Sequence, residues 1–576
     1  MSWSARTQIT ERQMKLVTVV SFLMITISIL LLHEAPVNGY ELSIYDSVSP
    51  FVWFAAIFGI ANGGLLIYLY YSSRKGLWAI GLFQILLCNM IIISLNALRG
   101  SIYLGYGDPL SYVGYSRDII LSGFIPSYNF YPLSSLMVSF TTLTTGLTLI
   151  DSVQLFPAIL LTVYMLSMFA WSGSICRERG FVATMTFASL PLFFAWFVPP
   201  VYYETLFVLM LPVFFFSLQK GRSGDIRFIS ITFALFVFFT LGHPLVALFI
   251  LLYIVVIFLV ERRSKTDKTT VSSNLVLFSG VVFLAWISLQ AILTNQVSSI
   301  LNSILTLGSS GTTLINFESS ASKLGLLSAI HSLLACTIDD IIFMLLALWA
   351  AILIWRGAWK SKTLSRYVAC LIIGSLFLSG VVVATYVHNP FRLINLNMNM
   401  IFSVPLVGYV LYQMRKKGSR FRAGLVISLI LIALVASTLS VYQDPLQVYP
   451  SGTITVSEAS GVNWFIGEKQ PDLNTSALQT LPWRFGDMIY GHTYVLGNAN
   501  SFNATETASH FTAIMSSNRS VQNTYLVVSE FDREAYTKVW QDANIFTEND
   551  FKALSFSPMV NQVYVNGEFS VYLRDS

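Results

Sequence analysis

Asp108 stands in a setting that could support proton-transfer chemistry. It lies between Gly107 and Pro109, directly after a long apolar segment, so a Gly/Pro turn should hold its carboxylate near the end of that segment. A carboxylate in such a place can act as a general base, because it is ionised at neutral pH and partial desolvation increases its basicity. The alternative is a structural role, since Asp is a favoured residue for capping the N-terminus of a helix.

Three other polar residues lie close to the ends of apolar segments. Arg392 could bind a phosphate group, because a guanidinium can donate two parallel hydrogen bonds to phosphate oxygens. Alternatively, it could be an anchor whose charge reaches the membrane surface. His243, in the sequence Gly-His-Pro, could be catalytic or could form hydrogen bonds at a helix end. Glu204 follows two prolines and two tyrosines, so it could be a functional acid or the solvated part of an interfacial aromatic belt.

The chain that must position these residues is too apolar for a soluble protein. Of its 576 residues, 55% are apolar and 11% are charged, against about 25% charged in soluble proteins. The mean hydropathy is +0.66, which also excludes a disordered chain. The net charge of +5 does not indicate a nucleic-acid partner. The four cysteines have no CxxC spacing and no acidic pair flanks Asp108, so we expect neither a disulfide framework nor a metal ion or other cofactor.

Apolar segments long enough to cross a bilayer recur along the first 442 residues. The sequence therefore predicts an α-helical polytopic membrane protein with about thirteen transmembrane helices. The first segment is taken as a span and not as a signal peptide, because no small-residue cleavage site follows it. The thirteen predicted spans are residues 16–33, 50–71, 77–97, 153–174, 181–198, 204–219, 227–241, 245–260, 273–293, 338–355, 367–386, 398–414 and 423–442.

The basic residues predict the orientation of these spans. With the N-terminus inside, inner loops hold 23 Lys and Arg residues, and the outer loops before residue 443 hold four. A further apolar segment, residues 132–150, is rich in Thr and Ser, and counting it as a span would move Arg177 and Arg179 to the outside. We therefore expect outer surface helices at about 108–150. Apolar residues in 110–122 suit a helix that lies on the bilayer.

The tail, residues 443–576, has the composition of a soluble domain. It carries 7 basic and 14 acidic residues and three Asn-X-Ser/Thr sequons, which suit an extracytoplasmic location. Short strand-like runs such as 525–528 and 563–565 alternate with turns, so we expect a small α+β domain. The predicted organisation is thus a multi-pass membrane domain over 1–442 and an extracytoplasmic soluble domain over 443–576.

The acidic residues help to distinguish classes of membrane protein. Ten are predicted on the outer side before the tail, including Asp339 and Asp340, and none in the middle of a span. Ion-coupled transporters usually keep a carboxylate near the membrane midplane. This distribution favours an enzyme that acts at the lipid–water boundary over a transporter.

At these residues the chain resembles the GT-C class of polytopic glycosyltransferases. It looks most like archaeal-type members related to dolichyl-phosphate-mannose–protein mannosyltransferases, and the resemblance extends over most of the chain in architecture. The residues that carry it are Gly107-Asp108, Tyr115-x-Arg117-Asp118-Ile119, Tyr131-Pro132-Leu133, Gly146 and the ending Val563-Tyr564-Val565-Asn566-Gly567-Glu568.

The resemblance implies a role for each of the polar residues. The enzyme would transfer a sugar from a polyprenyl (dolichyl) phosphate to an acceptor on the extracytoplasmic face, with inversion at the sugar and Asp108 as general base. Arg392 and His243 would hold the donor phosphate. Asp46, in the first outer loop, is the alternative base, because Asp108 lies in the second. Residues that could contact the sugar or the acceptor are Tyr112, Arg117, Asp118, Tyr131 and Glu204.

Other functions remain open at this point. One is an oligosaccharyltransferase-like or glycan-ligase activity, although the WWDYG signature of that group is absent and residues 463–465 and 483–487 do not replace it. Another is a non-enzymatic transporter or flippase of lipid-linked glycans, which thirteen spans would suit. For a transferase the partners would be a polyprenyl-phosphate sugar donor, an unknown glycan, lipid or protein acceptor, and the bilayer of the cell membrane.

Overall fold

A computed structural model describes most of the chain. The described residues are 11–73, 76–191, 198–200, 207–222, 224–263, 269–290, 298, 326–356, 362–385, 398–502, 505–506, 524–541, 545–558 and 560–574. The proposed phosphate-binding residue Arg392 and the candidate Glu204 lie outside them.

The described part up to residue 442 is helical, as predicted, and a helix overlaps each of the thirteen predicted spans. Among the described residues, seven helical segments are long and apolar enough to cross a membrane, and other apolar helices are shorter. The helices are α1 Glu11–His33, α2 Ile44–Ser47, α3 Pro50–Tyr70, α4 Leu77–Ile93, α5 Leu95–Leu98, α6 Asp108–Ser122, α7 Pro132–Thr145, α8 Leu149–Ile175, α9 Arg179–Ala188, α10 Leu211–Gly221, α11 Ile226–Gly242, α12 Pro244–Arg263, α13 Ser273–Ser288, α14 Leu326–Trp355, α15 Lys362–Thr385, α16 Ser403–Lys416 and α17 Arg420–Leu439.

Polar side chains and glycines hold helix α4, which precedes Asp108 in the chain, against its neighbouring helices. Asn62 of α3 donates a hydrogen bond to Gln84 of α4 at 2.9 Å, and Gln84 donates in turn to Ser21 of α1. A Cβ atom at Gly63 would lie 2.5 Å from the carbonyl oxygen of Gly81, so the backbones of α3 and α4 approach closely. Small residues and buried amide hydrogen bonds are the usual means of joining helices in lipid, where apolar contact alone gives little specificity.

Helix α7 is too short to cross a membrane alone. Its 14 residues span about 21 Å at 1.5 Å per residue, whereas the hydrocarbon core is about 30 Å thick. Gly146, at φ +73°, ends α7, and the Thr148 side chain caps the start of α8. That residues 132–150 do not form a span stays a prediction.

Three of the apolar residues that suggested a helix on the bilayer are packed against protein. Leu110, Val113 and Ile119 are each at most 7% exposed, because α7 and a helix of the C-terminal domain pack against α6. The apolar positions of the surface helix are therefore covered by protein.

The position of Asp339 and Asp340 also differs from the prediction. The predicted span began at residue 338, which put both acids at its outer end, but α14 begins at Leu326. Both residues consequently lie well inside a helix, and Asp339 is only 2% exposed. The helix has 30 residues and is about 45 Å long. It begins before the predicted apolar segment, so that segment did not mark the start of the helix.

The C-terminal part is an α+β domain, as predicted. A five-stranded sheet has the order β4-β3-β5-β7-β6, in which β3 is parallel to β4 and β5, and β7 is antiparallel to β5 and β6. The predicted strand runs correspond to β5 and β6. The strands are β3 Asn474–Ala477, β4 Thr505–Glu506, β5 Thr524–Ser529, β6 Asn561–Val565 and β7 Phe569–Arg574; the helices are α18 Val456–Glu468, α19 Pro482–Tyr490, α20 His492–Gly497, α21 Ala499–Phe502, α22 Glu530–Glu534 and α23 Glu548–Phe556, with a π-helix at Ala535–Val539 and a 3₁₀ helix at Pro445–Gln447.

The C-terminal domain is joined to the loops of the helical part by strand pairing and by a shared apolar core. Strand β1 (Tyr103–Leu104) pairs antiparallel with β2 (Thr453–Ile454). Arg99 and Glu41 form a buried two-pronged ion pair at 2.6 and 2.7 Å beside this junction. One apolar core runs from the membrane helices through α6 to α19, with Leu110 and Phe485 both fully buried. The helical part and the C-terminal domain therefore pack as one body around α6.

Candidate functional site

Asp108 is the first residue of α6, but its side chain does not cap the helix. Gly107, at φ +78°, is the N-cap residue and no side-chain hydrogen bond closes this helix end. The Asp108 carboxylate instead forms an ion pair with Arg484 of α19, with Nη2 at 2.7 Å from Oδ1. Its side chain is 54% exposed. The capping interpretation of Asp108 is therefore wrong, and the carboxylate remains open to solvent on one side.

Arg484 is held on three sides. Its guanidinium carbon lies 3.9 Å from the ring centre of Trp483, a cation–π distance. Nη1 donates to the Ser111 hydroxyl at 2.8 Å, one turn along α6 from Asp108. Arg484 and Ser111 are 373 residues apart in the chain, so the docking of α19 onto α6 creates this contact.

A buried carboxylate continues the network. Ser111 donates a hydrogen bond to Asp487, which is fully buried, and Asp487 contacts Nδ1 of His492 at 2.9 Å. The His492 ring lies edge-on to Tyr115 and Tyr128, with centroid distances of 5.1 and 4.6 Å. A buried acid that orients an imidazole fixes the direction of its ring. We refer to Asp108, Ser111, Tyr115, Arg484, Asp487 and His492 as the Asp108 cluster.

Tyr115 lies within electrostatic reach of the charged members of this cluster. Burial raises the pKa of its hydroxyl to about 12; the negative charges of Asp487 and Asp108 contribute to the rise, as does Tyr131, and the positive charge of Arg484 opposes it. At neutral pH the hydroxyl thus remains protonated and can donate or accept a hydrogen bond.

Two of the predicted site residues meet beside the cluster. The rings of Tyr131 and His243 stack with their centroids 4.9 Å apart and an angle of 22° between planes. His243 follows the last residue of α11, and its backbone N–H donates to Phe239 at 2.9 Å. Since Tyr131 also affects the pKa of Tyr115, the α11–α12 junction contributes to the same region as Asp108.

Arg117 and Asp118 contact the C-terminal domain. Arg117 donates from Nε to the Met488 carbonyl at 3.0 Å. Asp118 is 4% exposed and accepts hydrogen bonds from Tyr128 and, at 2.9 Å, from the backbone of Thr493. In this structure both residues therefore serve to dock α19 and α20 onto α6.

Two glycines permit this docking. A Cβ atom at Gly114 would lie 2.6 Å from the Asp487 carbonyl oxygen. Gly491 has φ +101°, which side chains rarely adopt, and a Cβ there would overlap the Asp118 carboxylate. The interface between α6 and α19 is therefore close enough to require glycine on both sides.

Asp46, the alternative base, is not part of the Asp108 cluster. It lies exposed on α2, where its backbone N–H donates to Ser43. The neighbouring side chains Ser43 and Tyr45 bind Asp444 and the Thr438 carbonyl, at the end of α17. Tyr112 is half-buried on α6, with its ring 6.1 Å from that of Tyr115.

Within the described ranges, no three His, Cys, Asp or Glu side chains lie close enough together to hold a metal ion.

Apart from Ser111 and Tyr115 on α6, the cluster residues that sequence reasoning missed come from the C-terminal domain. The segment 483–487 was compared only with a signature that it does not match. One signal in it could have been used: Arg484 and Asp487 are three residues apart, which places an arginine and an acid on one helix face. The position of that face, against α6, could not be read from local sequence.

Comparisons with known proteins give structural similarities only. No protein-family model matches the sequence, and no curated protein matches it. The fold is similar to the crystal structure of the Archaeoglobus fulgidus oligosaccharyltransferase complex with Zn and sulfate, at 11% identity and a TM-score of 0.48, covering 81% of this chain and 70% of that one. It is also similar to apo ArnT from Cupriavidus metallidurans, at 14% identity and a TM-score of 0.37, covering 86% of this chain and 98% of that one.

Proposed function

We propose that this chain is a membrane glycosyltransferase that transfers a sugar from a polyprenyl-phosphate donor to an acceptor on the extracytoplasmic face. One observation carries the proposal. Asp108 begins a helix at the junction of the helical part and the C-terminal domain, does not cap it, and presents a half-exposed carboxylate held by Arg484. A carboxylate so placed suits proton abstraction at a lipid–water boundary. The GT-C-like motifs of the sequence support the same assignment.

In the proposed reaction, a hydroxyl oxygen of the acceptor attacks the anomeric carbon of the donor sugar while Asp108 takes the hydroxyl proton. The bond from that carbon to the phosphate oxygen breaks, and polyprenyl phosphate leaves with the electron pair. Attack from the side opposite the phosphate inverts the anomeric configuration. His243 and Arg392 are the proposed groups that stabilise the leaving phosphate.

The sugar and the acceptor would be bound by residues around Asp108. The contact between Tyr131 and His243 supports one subsite formed by both, and the electrostatic effect of Tyr131 on Tyr115 connects it with the Asp108 cluster. Tyr112 and Glu204 remain candidates for the same role. Arg117 and Asp118 are better explained by the docking of the C-terminal domain, since both already bind it.

The test is a transfer assay on purified protein in lipid nanodiscs. Radiolabelled polyprenyl-phosphate sugars are supplied one at a time with glycan, lipid or peptide acceptors, and label should move from the donor to a water-soluble or lipid product. Protein reconstituted into vesicles is used to measure whether the donor moves across the bilayer. Movement of intact donor across the bilayer without transfer would contradict the proposal and support a flippase. Transfer of a whole glycan from a lipid diphosphate would support the oligosaccharyltransferase-like alternative.

A further inference from the structure

The C-terminal domain places an arginine against the proposed base, and we infer that Arg484 is a positioning residue for Asp108. This inference rests on the proposed function. The ion pair uses Oδ1 of Asp108, at 2.7 Å from Nη2. No hydrogen bond to Oδ2 occurs among the described residues, and half of the side chain is exposed. One carboxylate oxygen is thus fixed, and the other can accept the proton of an acceptor hydroxyl.

The geometry around Arg484 suits a fixed positioning group. The stack on Trp483 sets the plane of the guanidinium, and the hydrogen bond to Ser111 sets its rotation relative to α6. Ser111 is held in turn by buried Asp487, and Asp487 by His492. Supporting hydrogen bonds of this kind hold a reacting group in a productive orientation.

Stability does not explain this arrangement. The side chains of Asp108 and Arg484 are 54% and 22% exposed, and ion pairs near the surface contribute little to folding. A long side chain that is stacked, hydrogen-bonded and aimed at one carboxylate loses rotamer entropy for that small gain. The arrangement is better explained by the need to hold the Asp108 carboxylate at a fixed angle beside a substrate.

The pair also makes the site composite. Asp108 comes from the helical part and Arg484 from a helix of the C-terminal domain, so neither part holds the complete site. A role in catalysis follows for the C-terminal domain. Displacement of α19 from α6 would leave the base without its positioning partner.

The test compares Arg484→Ala with Arg484→Lys in the transfer assay. Misplacing a reacting group by about 1 Å can cost roughly 100-fold in rate, so Arg484→Ala should lower kcat by about 10–100-fold with little change in the donor KM. Arg484→Lys should lose less, because it keeps the charge but not the planar fork. Free guanidinium ion added to Arg484→Ala should restore part of kcat by binding between Trp483 and Asp108, and urea at the same concentration should not.

A matched control is available in the same domain. Arg533 pairs with Glu548 at 2.5 Å, away from the Asp108 cluster. Arg533→Ala should therefore keep the wild-type kcat, and guanidinium should not change it. Loss of activity in Arg533→Ala equal to that in Arg484→Ala would mean that any arginine deletion in the domain is harmful, and would overturn the inference.

A double variant separates positioning from an independent role. If Arg484 acts through Asp108, then Arg484→Ala should reduce kcat little further in the Asp108→Asn background. A full additional loss would overturn the inference, as would a normal kcat in folded Arg484→Ala. If Arg484→Ala does not fold, the kcat of Arg484→Lys is the deciding measurement. A wild-type kcat in Arg484→Lys would contradict positioning of Asp108 by the planar guanidinium group. Absence of transfer by the wild-type protein would instead contradict the proposed function itself.

Discussion

At the scale of single residues, Asp108 lies at the start of a helix but does not cap it, so its carboxylate is available to a substrate. Gly107 takes the N-cap position without a side-chain hydrogen bond, and the Asp108 carboxylate turns to Arg484 instead. The carboxylate is thus held by its ion pair and is exposed enough to reach a substrate.

Replacing Asp108 with Asn should nearly abolish transfer. Asn keeps the shape of the side chain but cannot take a proton, and a positioned base contributes about 10²–10⁴-fold to the rate. The melting temperature should change little, because a half-exposed ion pair contributes about 0–1 kcal/mol. Both quantities can be measured on protein in nanodiscs.

Asp46→Asn is the matched control for this substitution. Asp46 is an exposed acid on the neighbouring loop, outside the Asp108 cluster, so its loss should leave the rate close to that of the wild type. An inactive Asp46→Asn together with an active Asp108→Asn would move the base to the first loop.

At the scale of secondary-structure elements, the contact between α6 and α19 determines whether the site exists. Gly114 of α6 lies against the backbone of α19, where a Cβ would lie 2.6 Å from the Asp487 carbonyl oxygen and 2.9 Å from its carbon. These are backbone atoms, so a flexible side chain cannot move aside to make room. The spacing of the two helices therefore depends on one missing methyl group.

Gly114→Ala should displace α19 and reduce both stability and transfer. Overpacking of this kind costs about 1–3 kcal/mol, and the shift would separate Arg484 from Asp108. Gly173→Ala is the control, since Gly173 lies in helix α8 and no heavy atom of a described residue lies within 4 Å of an added Cβ. Thermal melting and the transfer assay should show losses in Gly114→Ala only. Equal behaviour of the two variants would contradict the close approach of α6 and α19.

A buried acid near the same junction should make stability depend on pH. Glu458 of α18 is 3% exposed and accepts a hydrogen bond from the Tyr106 hydroxyl at 2.5 Å. Burial raises the pKa of Glu458 to about 8, and the charges of Asp532 and Glu568 contribute to the rise. The folded protein therefore holds a proton on Glu458 that the unfolded chain releases above its ordinary pKa.

The sign of the effect follows from this difference in bound protons. The stabilisation is fully present below the unfolded pKa, near 4.5, and it is lost as the pH rises through the folded pKa of about 8. Within that window the slope is at most about 1.4 kcal/mol per pH unit. We expect the melting temperature to fall between pH 5 and pH 8 and Glu458→Gln to flatten this fall. Glu468→Gln, at the exposed end of α18, should retain the wild-type slope; an unchanged slope in Glu458→Gln would exclude Glu458 as the cause.

At the scale of the whole molecule, the orientation in the membrane remains a prediction from charge. The 23-to-4 distribution of basic residues places the N-terminus inside and the C-terminal domain outside. A fourteenth span at residues 132–150 would place Arg177 and Arg179 outside.

Single-cysteine labelling can test this orientation. In a background without Cys88, Cys176, Cys336 and Cys370, an impermeant thiol reagent applied from outside should modify Asp472→Cys. Ser73→Cys and Ser174→Cys should react only after the membrane is opened. Labelling of Ser174→Cys from outside, with protection of Asp472→Cys, would overturn the topology.

The sequence by itself determined the features that depend on local composition. Apolar stretches marked a helix at each predicted span, and the alternation of strands and turns marked the α+β domain, because burial of apolar surface and backbone hydrogen bonding act over short stretches of chain. The Gly-Asp-Pro turn also marked Asp108 as a residue of interest, although it left open whether the carboxylate caps a helix.

Only the tertiary structure decided which groups surround Asp108. Arg484 and Ser111 are 373 residues apart, and their contact depends on two helices from different domains meeting at Gly114. The apolar residues of α6 suggested contact with lipid, but packing against protein removes Leu110 and Val113 from water equally well. Which of the two covers them is set by the docking of the C-terminal domain, a non-local event that local sequence patterns do not encode.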